Sequence, residues 1–438
     1  MKDAIKISYC IPSVSEKNSA SSSSALEQTA KIFRTGNEQY LNAHSFIFLP
    51  ADRAMHKEIK KIGEEKKSLQ PALIIIIGIG GSSVGMEAIF HALYGTLYNE
   101  THKTPRMYIA DATDAPYLYT LYAQAEQILK EGKNIILFVA SKSGTTTETV
   151  ANFALFASLL AQYKKEYAPF IIIATDKNSP LFVHAQKHGY TYLEIPQQVG
   201  GRYSVFSPVG LFPLYLCNID IDELCAGACS ITSLCLDTTA PDTNIAATRA
   251  AYLYALYMQN YIIHNMFVFG RNMESVGQWY KQLMGESIGK EYDVDKNLVN
   301  CGITPLVSVG SNDLHSVAQL YLSGPFNTTT TFVSVDQAAH DIRLPAQSSD
   351  ILLPSLANIS AHTLTTTILH AVKETYEKHK RPFMHIELPS LSPYYLGQLL
   401  QMHMIEMVYL ATLLQVNPFD QPTVEEYKQR TRELLAKK

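Results

Sequence analysis

Short, continuous apolar runs recur along this chain, and each is followed by a turn of small residues and a helical stretch. The first four runs are ALIIII at 72–77, RMYIA at 106–110, NIILFVA at 134–140 and FIIIAT at 170–175. Runs of this length without polar alternation are typical of strands buried on both faces of a parallel sheet. Because helical stretches separate them, the pattern predicts a doubly wound α/β domain.

A second set of apolar runs repeats this alternation in the C-terminal half. Strands are predicted at 265–270, 304–310 and 330–335, and long helices at 363–379 and 395–414. A chain of 438 residues is long enough for two or three domains. The predicted organisation is an N-terminal helical segment at 1–44, α/β domains at 45–230 and 231–410, and a C-terminal turn and helix at 411–438.

The composition argues against several classes of function. The chain has 36 Lys and Arg against 40 Asp and Glu, a formal net charge of −4. Without a global positive field, binding to nucleic acid or to an anionic membrane is not expected. The longest apolar run, residues 71–79, is too short to span a bilayer, and the N-terminus lacks an apolar signal core. We therefore expect a cytoplasmic protein, in which an anionic ligand would need a local cluster of positive groups.

The segment GIGGSSVG at 78–85 follows the first predicted strand and opens a helix. Glycines allow the backbone to approach a ligand closely, and free N–H groups at a helix N-terminus attract anions. A dinucleotide fingerprint would need glycine where Ser83 stands, and the Gly-Lys-Ser/Thr of a Walker A loop is absent. The segment fits a phosphate loop, although a tight strand–helix turn without a ligand is an equally good interpretation.

The segment SKSGTTTE at 141–148 also lies between a predicted buried strand and a helix. Five of its eight residues carry hydroxyls, whereas a helix needs only one for its N-cap. The excess favours many short hydrogen bonds to a compact anion such as a phosphomonoester. Two such loops at the carboxyl ends of parallel strands predict a ligand in the crevice there.

Two further segments carry polar residues with open roles. Arg202, after two glycines, could stabilise an enediolate oxygen or form a structural ion pair. Gln282 and Glu286 lie four residues apart and share a helix face. Glu286 could abstract a proton alpha to a carbonyl, or it could form an ordinary surface ion pair with Lys290.

The last two candidates are a histidine and a lysine. His315 follows a predicted strand and is expected in the first turn of the next helix. Lys428 lies in a C-terminal helix that Thr423 could cap. Taken alone, each is more simply interpreted as a structural or exposed side chain. The six cysteines show no zinc-like spacing, so no metal site is expected.

Taken in order, these segments resemble the phosphoglucose isomerase family. The resemblance rests on GIGGSSVG, SKSGTTTET, VGGRYSVFS, MGESIGK, SNDLHS and NPFDQPTVEEYK, which span residues 78–428. It implies two sugar-isomerase (SIS-type) α/β domains, a C-terminal helical tail and a homodimer. It also implies the interconversion of glucose 6-phosphate and fructose 6-phosphate in glycolysis and gluconeogenesis, with no cofactor and no metal.

The resemblance further implies a role for each matching residue. The catalytic residues would be Glu286 as the base, Arg202 beside the reacting carbons, and His315 and Lys428 for ring opening. The substrate contacts would be Gly81, Ser82, Ser141, Lys142, Ser143, Thr146, Gln282 and Gln421, with Glu148 supporting the histidine. His315 would reach the site of the neighbouring subunit. The chain departs from the family at Thr423, where glycine is usual, which could shift the start of the helix that bears Lys428.

Other functions stay open on the sequence. A non-catalytic phosphosugar-binding module would keep both loops but would not need Glu286, His315 and Lys428 together. A nicotinamide-dependent dehydrogenase is disfavoured by the missing third glycine. A bifunctional glucose and mannose phosphate isomerase is a further alternative, because such variation in substrate is known among related folds.

Overall fold

The computed structural model describes residues 4–10, 19–34, 42–101, 104–237, 244–347, 350 and 352–437. The chain folds into two compact units. Unit A comprises Lys31–Cys229 and Phe419–Lys438, and unit B comprises Met1–Ala30 and Ser230–Pro418. Unit A therefore contains both hydroxyl-bearing loops, together with the last segment of the chain.

The strands of the described residues are β1 (Lys6–Cys10), β2 (Pro71–Ile77), β3 (Arg106–Ala110), β4 (Asn134–Ala140), β5 (Ile171–Thr175), β6 (Thr191–Glu194), β7 (Ile263–Phe269), β8 (Lys290–Tyr292), β9 (Leu298–Cys301), β10 (Thr304–Gly310), β11 (Thr328–Gln337) and β12 (Phe383–Ser390). The α-helices are α1 (Ser19–Arg34), α2 (Arg53–Ser68), α3 (Val84–Tyr94), α4 (Tyr98–Thr101), α5 (Ala115–Lys130), α6 (Thr147–Tyr163), α7 (Pro180–His188), α8 (Pro208–Leu216), α9 (Ile221–Cys235), α10 (Ile245–Tyr257), α11 (Glu274–Ile288), α12 (Ala318–Ser323), α13 (Ala361–Lys378), α14 (Pro393–Leu413) and α15 (Pro422–Leu435). Short 3-10 turns lie at Ala43–Ala51, Gly80–Ser82, Ala168–Phe170, Gly201–Tyr203, Arg271–Met273, Asn312–Leu314 and Pro354–Leu356.

Unit A is built on a five-stranded parallel sheet in the order β3-β2-β4-β5-β6. Alternate residues of each strand point to opposite faces. Leu137 belongs to the apolar cluster that includes Phe156 of α6. Its neighbour Phe138, on the other face, lies with its ring 5.4 Å from Phe212 of α8. Helices thus cover both faces, as the continuous apolar runs predict.

The strand order of unit A reverses between β2 and β4. The chain passes from β2 to β3 on one side, and then returns to β4 on the other side. In doubly wound sheets, ligands bind outside the carboxyl ends of the strands at such a switch point. The segments that leave these two strands are GIGGSSVG and SKSGTTTE, so the fold brings both candidate loops to the position where a ligand is expected.

Unit B contains a second five-stranded sheet, in the order β1-β12-β11-β7-β10. Its four main strands are parallel, and β1 is added antiparallel at one edge. Phe267, Phe332 and Phe383 form the centre of an apolar cluster on this sheet. Helices α10, α11 and α14 pack together beside it. The prediction of two doubly wound parallel sheets is confirmed.

Two strands of the five-stranded sheet of unit B, β1 and β12, were not among the predicted strands. β12 was not predicted because His385 and Glu387 interrupt its apolar run. Both find partners on other strands: His385 lies 2.8 Å from the hydroxyl of Ser334, and Glu387 accepts a hydrogen bond from Lys6 at 3.0 Å. β1 is a short edge strand that carries that lysine. No helix among the described residues is both long enough and apolar enough to cross a membrane.

Candidate functional site

The loop after β2 comes very close to the turn that carries Arg202. A Cβ atom added at Gly81 would lie 2.2 Å from the carbonyl carbon of Gly201 and 2.7 Å from the backbone nitrogen of Arg202. The hydroxyl of Ser204 donates a hydrogen bond to the Gly81 carbonyl at 3.3 Å. Gly81 and Ser82 lie in the 3-10 turn that precedes α3. Position 81 therefore has to be glycine if the two segments are to meet.

The loop after β4 is folded onto its own side chains. Oγ of Ser141 lies 3.1 Å from Oγ1 of Thr146 and accepts a hydrogen bond from the backbone N–H of Gly144 at 3.2 Å. The hydroxyl of Thr175, on the neighbouring strand, donates to the Ser141 carbonyl at 2.6 Å. Gly144 has a φ of +67°, a conformation that suits glycine. These contacts hold a compact turn at the N-terminus of α6, where an anion is favoured.

The remaining predicted residues of this loop lie at its rim. Ser143 is exposed, and its hydroxyl accepts hydrogen bonds from the backbone and the side chain of Thr145. Glu148 is half-buried in the first turn of α6. Both side chains therefore lie near the N-terminus of α6, at the edge of the sheet where the parallel strands end.

Lys142 is held beside the same turn by a backbone contact. Its Nζ donates a hydrogen bond to the carbonyl of Val199 at 3.1 Å. Burial lowers the pKa of Lys142 below its ordinary value; Asp176 opposes this shift, whereas the charge of Arg202 adds to it. Two cationic side chains thus interact with one another in unit A, and an anionic ligand would relieve their repulsion.

Arg202 is 3% exposed and is oriented by the C-terminal segment. Its Nη1 donates to Oε1 of Gln421 at 2.9 Å, and its Nη2 donates to the carbonyl of Asp420 at 3.2 Å. Both acceptors belong to the C-terminal segment, so these two contacts fix the orientation of the guanidinium. A guanidinium held in this way suits the stabilisation of a negatively charged oxygen.

An aromatic cluster attaches the C-terminal segment to unit A. The ring of Phe419 lies 4.8 Å from that of His44, 5.4 Å from that of Tyr203 and 6.4 Å from that of Phe46. Because Phe419 precedes Asp420 and Gln421 directly, the cluster delivers both hydrogen-bond acceptors to Arg202. This role of Phe419 was not predicted, and no local sequence pattern would have indicated it.

The helix that bears Lys428 begins differently from the prediction. α15 starts at Pro422 and its N-cap residue is Gln421, so the prediction that Thr423 caps it is wrong. Gln421 makes no capping hydrogen bond, and its side chain accepts from Arg202 instead. Lys428 donates from Nζ to Oε1 of Glu425 at 2.7 Å, one turn earlier on the same helix. The ammonium group is therefore directed towards the N-terminal end of α15.

In unit B, Gln282 and Glu286 share a face of α11, as their spacing predicts. Nε2 of Gln282 donates to Oε1 of Glu286 at 3.0 Å. The other amide atom, Oε1 of Gln282, is buried without a hydrogen-bond partner. A buried acceptor in this state is a candidate for contact with a ligand hydroxyl.

The last turn of α11 is shaped by Lys290 and Gly289. Nζ of Lys290 donates to the backbone carbonyl of Glu286 at 3.0 Å, which satisfies an orphan acceptor at the helix end. A Cβ atom at Gly289 would lie 2.6 Å from the Gly285 carbonyl. The glycine is thus required by a close backbone approach directly after Glu286.

His315 does not lie in the first turn of a helix, so that prediction is wrong. It follows the 3-10 turn at Asn312–Leu314, and α12 begins only at Ala318. Asp313 holds this turn: Oδ2 accepts from the backbone N–H of Val309 at 2.7 Å, and Oδ1 accepts from the hydroxyl of Ser316 at 2.9 Å. The role of Asp313 was not predicted, although Ser-Asn-Asp after a strand is a recognisable turn pattern.

The predicted residues therefore divide between the two units. Unit A carries Gly81, Ser82, Ser141, Lys142, Ser143, Thr146, Glu148, Arg202, Gln421 and Lys428, and unit B carries Gln282, Glu286 and His315. Within unit A, contacts link Gly81 to the Arg202 turn and Arg202 to Gln421. Hydroxyls, an ammonium and a guanidinium are suited to an oxyanion, and the carboxylate of Glu286 to proton transfer. No group of three or more His, Cys, Asp or Glu side chains in the described residues is arranged to hold a metal ion.

Comparison with known proteins assigns these features to one family. The family model described as phosphoglucose isomerase matches residues 55–438 of the chain. The chain belongs to the phosphoglucose isomerase family. The match includes both loops of unit A, the Glu286 helix and the C-terminal segment.

Individual members of the phosphoglucose isomerase family match over most of their length. Glucose-6-phosphate isomerase of Symbiobacterium thermophilum is 33% identical over 395 residues, which cover 88% of this chain and 85% of that protein. The Mycoplasma capricolum enzyme of the same name is 32% identical over 397 residues, 88% of each. Among solved structures, a hypothetical protein from Thermus thermophilus matches with a TM-score of 0.82 at 27% identity, over 94% of both chains. Glucose-6-phosphate isomerase from Chlamydia trachomatis shares the fold, with a TM-score of 0.81 at 19% identity over 99% of this chain and 88% of that one.

Proposed function

We propose that this chain interconverts glucose 6-phosphate and fructose 6-phosphate. Membership of the phosphoglucose isomerase family supports a hexose phosphate as the substrate, and relatives that cover most of the chain are named glucose-6-phosphate isomerase. The main support for the proposal is that two segments far apart in sequence meet at Arg202. Gly81 contacts the backbone of its turn, Gln421 accepts from its guanidinium, and the charge of Lys142 lies near enough to interact with it.

In this proposal the substrate phosphate binds to the turn at 141–146. Support comes from the hydroxyls of Ser141, Ser143 and Thr146, the N-terminus of α6 and the neighbouring Lys142. Gly81 and Ser82 would contact the sugar from the first loop. Burial is the main cause of the lowered pKa of Lys142, and a dianion in the turn would offset both burial and the smaller contribution of the Arg202 charge.

Ring opening is assigned to His315 and Lys428. One group removes the proton from the C1 hydroxyl while the other delivers a proton to the ring oxygen, so the C1–O5 bond breaks and an aldehyde forms. The turn held by Asp313 and the ion pair with Glu425 support defined positions for these side chains. Glu148 is assigned a supporting role towards the histidine.

Isomerisation is assigned to Glu286. Its carboxylate takes the proton from C2 of the open-chain aldose, which gives a cis-enediolate, and returns a proton to C1. The O2 hydroxyl proton passes to O1, so O1 becomes a hydroxyl and O2 becomes a carbonyl. The carbon skeleton is oxidised at C2 and reduced at C1, so the step balances without a redox partner. Arg202 stabilises the charge that develops on the enediol oxygens. The hydrogen bond from Gln282 and the buried, unpartnered Oε1 of that side chain support a substrate contact there.

We further propose a homodimer in which His315 serves the neighbouring subunit. The hairpin β8–β9 supports an interface, because Tyr292, Val294 and Leu298 are 52%, 60% and 64% exposed on it. We also propose a cytoplasmic location. The described cysteines are free thiols, and those at 217, 225 and 235 are buried, which suits a reducing compartment.

The decisive experiment is a coupled assay of purified protein with fructose 6-phosphate, with and without a chelator. We expect turnover that the chelator leaves unchanged. Binding of the sugar phosphate without turnover would contradict the proposal and favour a non-catalytic binding module. The same assay with mannose 6-phosphate tests whether the enzyme is bifunctional.

A further inference from the structure

Three ionisable side chains form a completely buried network in unit B. Arg249 of α10 donates from Nε to Oε2 of Glu406 at 3.0 Å and from Nη2 to Oε1 at 3.2 Å. Oε2 of Glu406 also lies 2.7 Å from Nδ1 of His403, on the same helix α14. All three residues are 0% exposed. Such a network is weak evidence for stability, because apolar residues of similar volume fill a core as well.

The hydrogen bonds determine the charge state of the network. Burial opposes ionisation of Glu406, but Arg249 and His403 outweigh it and hold the pKa of Glu406 below its ordinary value. Burial lowers the pKa of His403. Because a carboxylate only accepts, the proton of the neutral ring is on Nδ1. Nε2 of His403 is then a bare acceptor, and it is buried without a hydrogen-bond partner.

The network lies directly against the helix that carries Glu286. The ring of Tyr280, on α11, lies 4.6 Å from the ring of His403 in an edge-on arrangement. The ring of Tyr280 also lies 5.4 Å from the ring of His264 of β7. Trp279, the preceding residue, lies 6.4 Å from His403. At Tyr280, α11 therefore packs against both α14 and β7.

A rotation of α11 at Tyr280 would move Glu286. The buried stripe of the helix continues from Tyr280 through Leu283, Met284 and Ser287, so this face fixes the helix about its axis. Glu286 lies within the same two turns and is half-buried. Misplacement of a catalytic group by 1 Å can lower a rate by about 100-fold. The packing at Tyr280 therefore affects the position of the carboxylate.

We propose that the Arg249–Glu406–His403 network is a positioning device for Glu286, which acts by fixing the ring of Tyr280 and thereby the rotation of α11. The inference rests on the proposed function, in which Glu286 is the base. A core built only from apolar residues of the right volume can stay stable while its side chains adopt more than one packing arrangement. Directional hydrogen bonds select a single arrangement. A device of this kind explains why two buried charges are kept where an apolar pair would fit.

The first test is Glu406→Gln, which keeps the shape and removes the charge. We measure kcat and KM for glucose 6-phosphate, the primary isotope effect with substrate deuterated at C2, and the unfolding temperature. A displaced base should lower kcat by about tenfold and raise the isotope effect, because proton transfer becomes slower than the other steps. KM should stay within about twofold, since the substrate contacts remain. A folded variant with the wild-type kcat and isotope effect would overturn the proposal.

The second test is Arg249→Met combined with Glu406→Leu, which removes both charges and refills the volume. We expect recovery of the unfolding temperature, while kcat stays low and the isotope effect stays raised. If stability and kcat recover together, the network only fills space and the proposal is wrong. This variant decides the question alone if Glu406→Gln does not fold.

A matched control separates positioning from general destabilisation. Lys373 of α13 is half-buried in the same unit and lies 3.1 Å from Nδ1 of His385. Lys373→Met should lower the unfolding temperature and leave kcat, KM and the isotope effect unchanged. An inactive wild-type protein would refute the proposed function and this inference with it. An active wild type with unaffected network variants would refute this inference alone.

Discussion

Arg202 donates a hydrogen bond of 2.9 Å to Gln421, a residue 219 positions away in the sequence. The same guanidinium donates to the carbonyl of Asp420, so two consecutive residues of the C-terminal segment orient it. The segment is attached to unit A by Phe419. The proposed electrophilic residue is therefore held by a part of the chain that its own neighbourhood in sequence does not reveal.

Replacement of Gln421 by leucine should impair catalysis through Arg202. The variant loses the Nη1 acceptor, so we expect kcat to fall about tenfold, whereas Arg202→Lys, which lacks the fork of donors, should lose about 10²–10³-fold. Both are measured in the coupled assay with fructose 6-phosphate. Gln429→Leu is the control, because Gln429 lies exposed on α15 and contacts Glu433. Wild-type kcat in Gln421→Leu would contradict the orienting role.

Substitution of two nearby glycines should give opposite results. Gly81→Ala places a Cβ atom 2.2 Å from the Gly201 carbonyl carbon, and this backbone cannot yield as a flexible side chain would. We expect destabilisation of about 1–3 kcal/mol and a clear loss of kcat/KM, since the Arg202 turn has to shift. Gly200→Ala should be tolerated, because φ there is −70° and the nearest atom lies at 3.7 Å. Thermal unfolding and the coupled assay test both, and equal effects would contradict the close-approach argument.

The KM for fructose 6-phosphate should rise at alkaline pH because of Lys142. Burial and Arg202 lower the pKa of Lys142 in the free protein, so its charge is lost as pH rises through that lowered pKa. The phosphate then loses one cationic partner, and KM increases. Lys142→Arg stays charged up to about pH 10 and should keep KM flat in that range. The same alkaline rise in both proteins would show that another group titrates.

Mixing two inactive variants should restore activity if the proposed dimer is correct. Glu286→Gln removes the base and should lower kcat by about 10²–10⁴-fold or more, and His315→Ala should impair ring opening. A heterodimer of the two has one site with both residues intact. Statistical reassortment of equal amounts should therefore recover about a quarter of the wild-type activity. If the mixture stays inactive although heterodimers form, His315 acts within its own subunit.

Most strands of the two five-stranded sheets were predictable because burial on two faces leaves a local signal. NIILFVA at 134–140 coincides with β4, and the run at 72–77 differs from β2 by one residue. β12 escaped prediction because the partners of its polar residues, Ser334 and Lys6, come from elsewhere in the chain. The hydrophobic periodicity of a segment indicates how that segment is buried, but it does not indicate which residues from other segments pack beside it.

The two phosphate-type loops were recognisable from their composition, but the course of the backbone around the other residues was not. Thr423 was a plausible cap by residue type, yet Pro422 begins α15 and leaves Gln421 as the N-cap residue. His315 was expected in a helix, but Asp313 closes a 3-10 turn before it. Both outcomes depend on competition between neighbouring residues for the same backbone positions.

By itself, the sequence determined which segments carry hydroxyls, glycines and charge, and that these segments follow buried parallel strands. Only the tertiary structure decided that Gln421 meets Arg202, that Gly81 touches the same turn, and that Tyr280 packs against His403 of the buried network. The reason is physical. Backbone periodicity and turn chemistry act over a few residues, whereas the orientation of a guanidinium or the rotation of a helix is fixed by atoms that come together only when the core is packed.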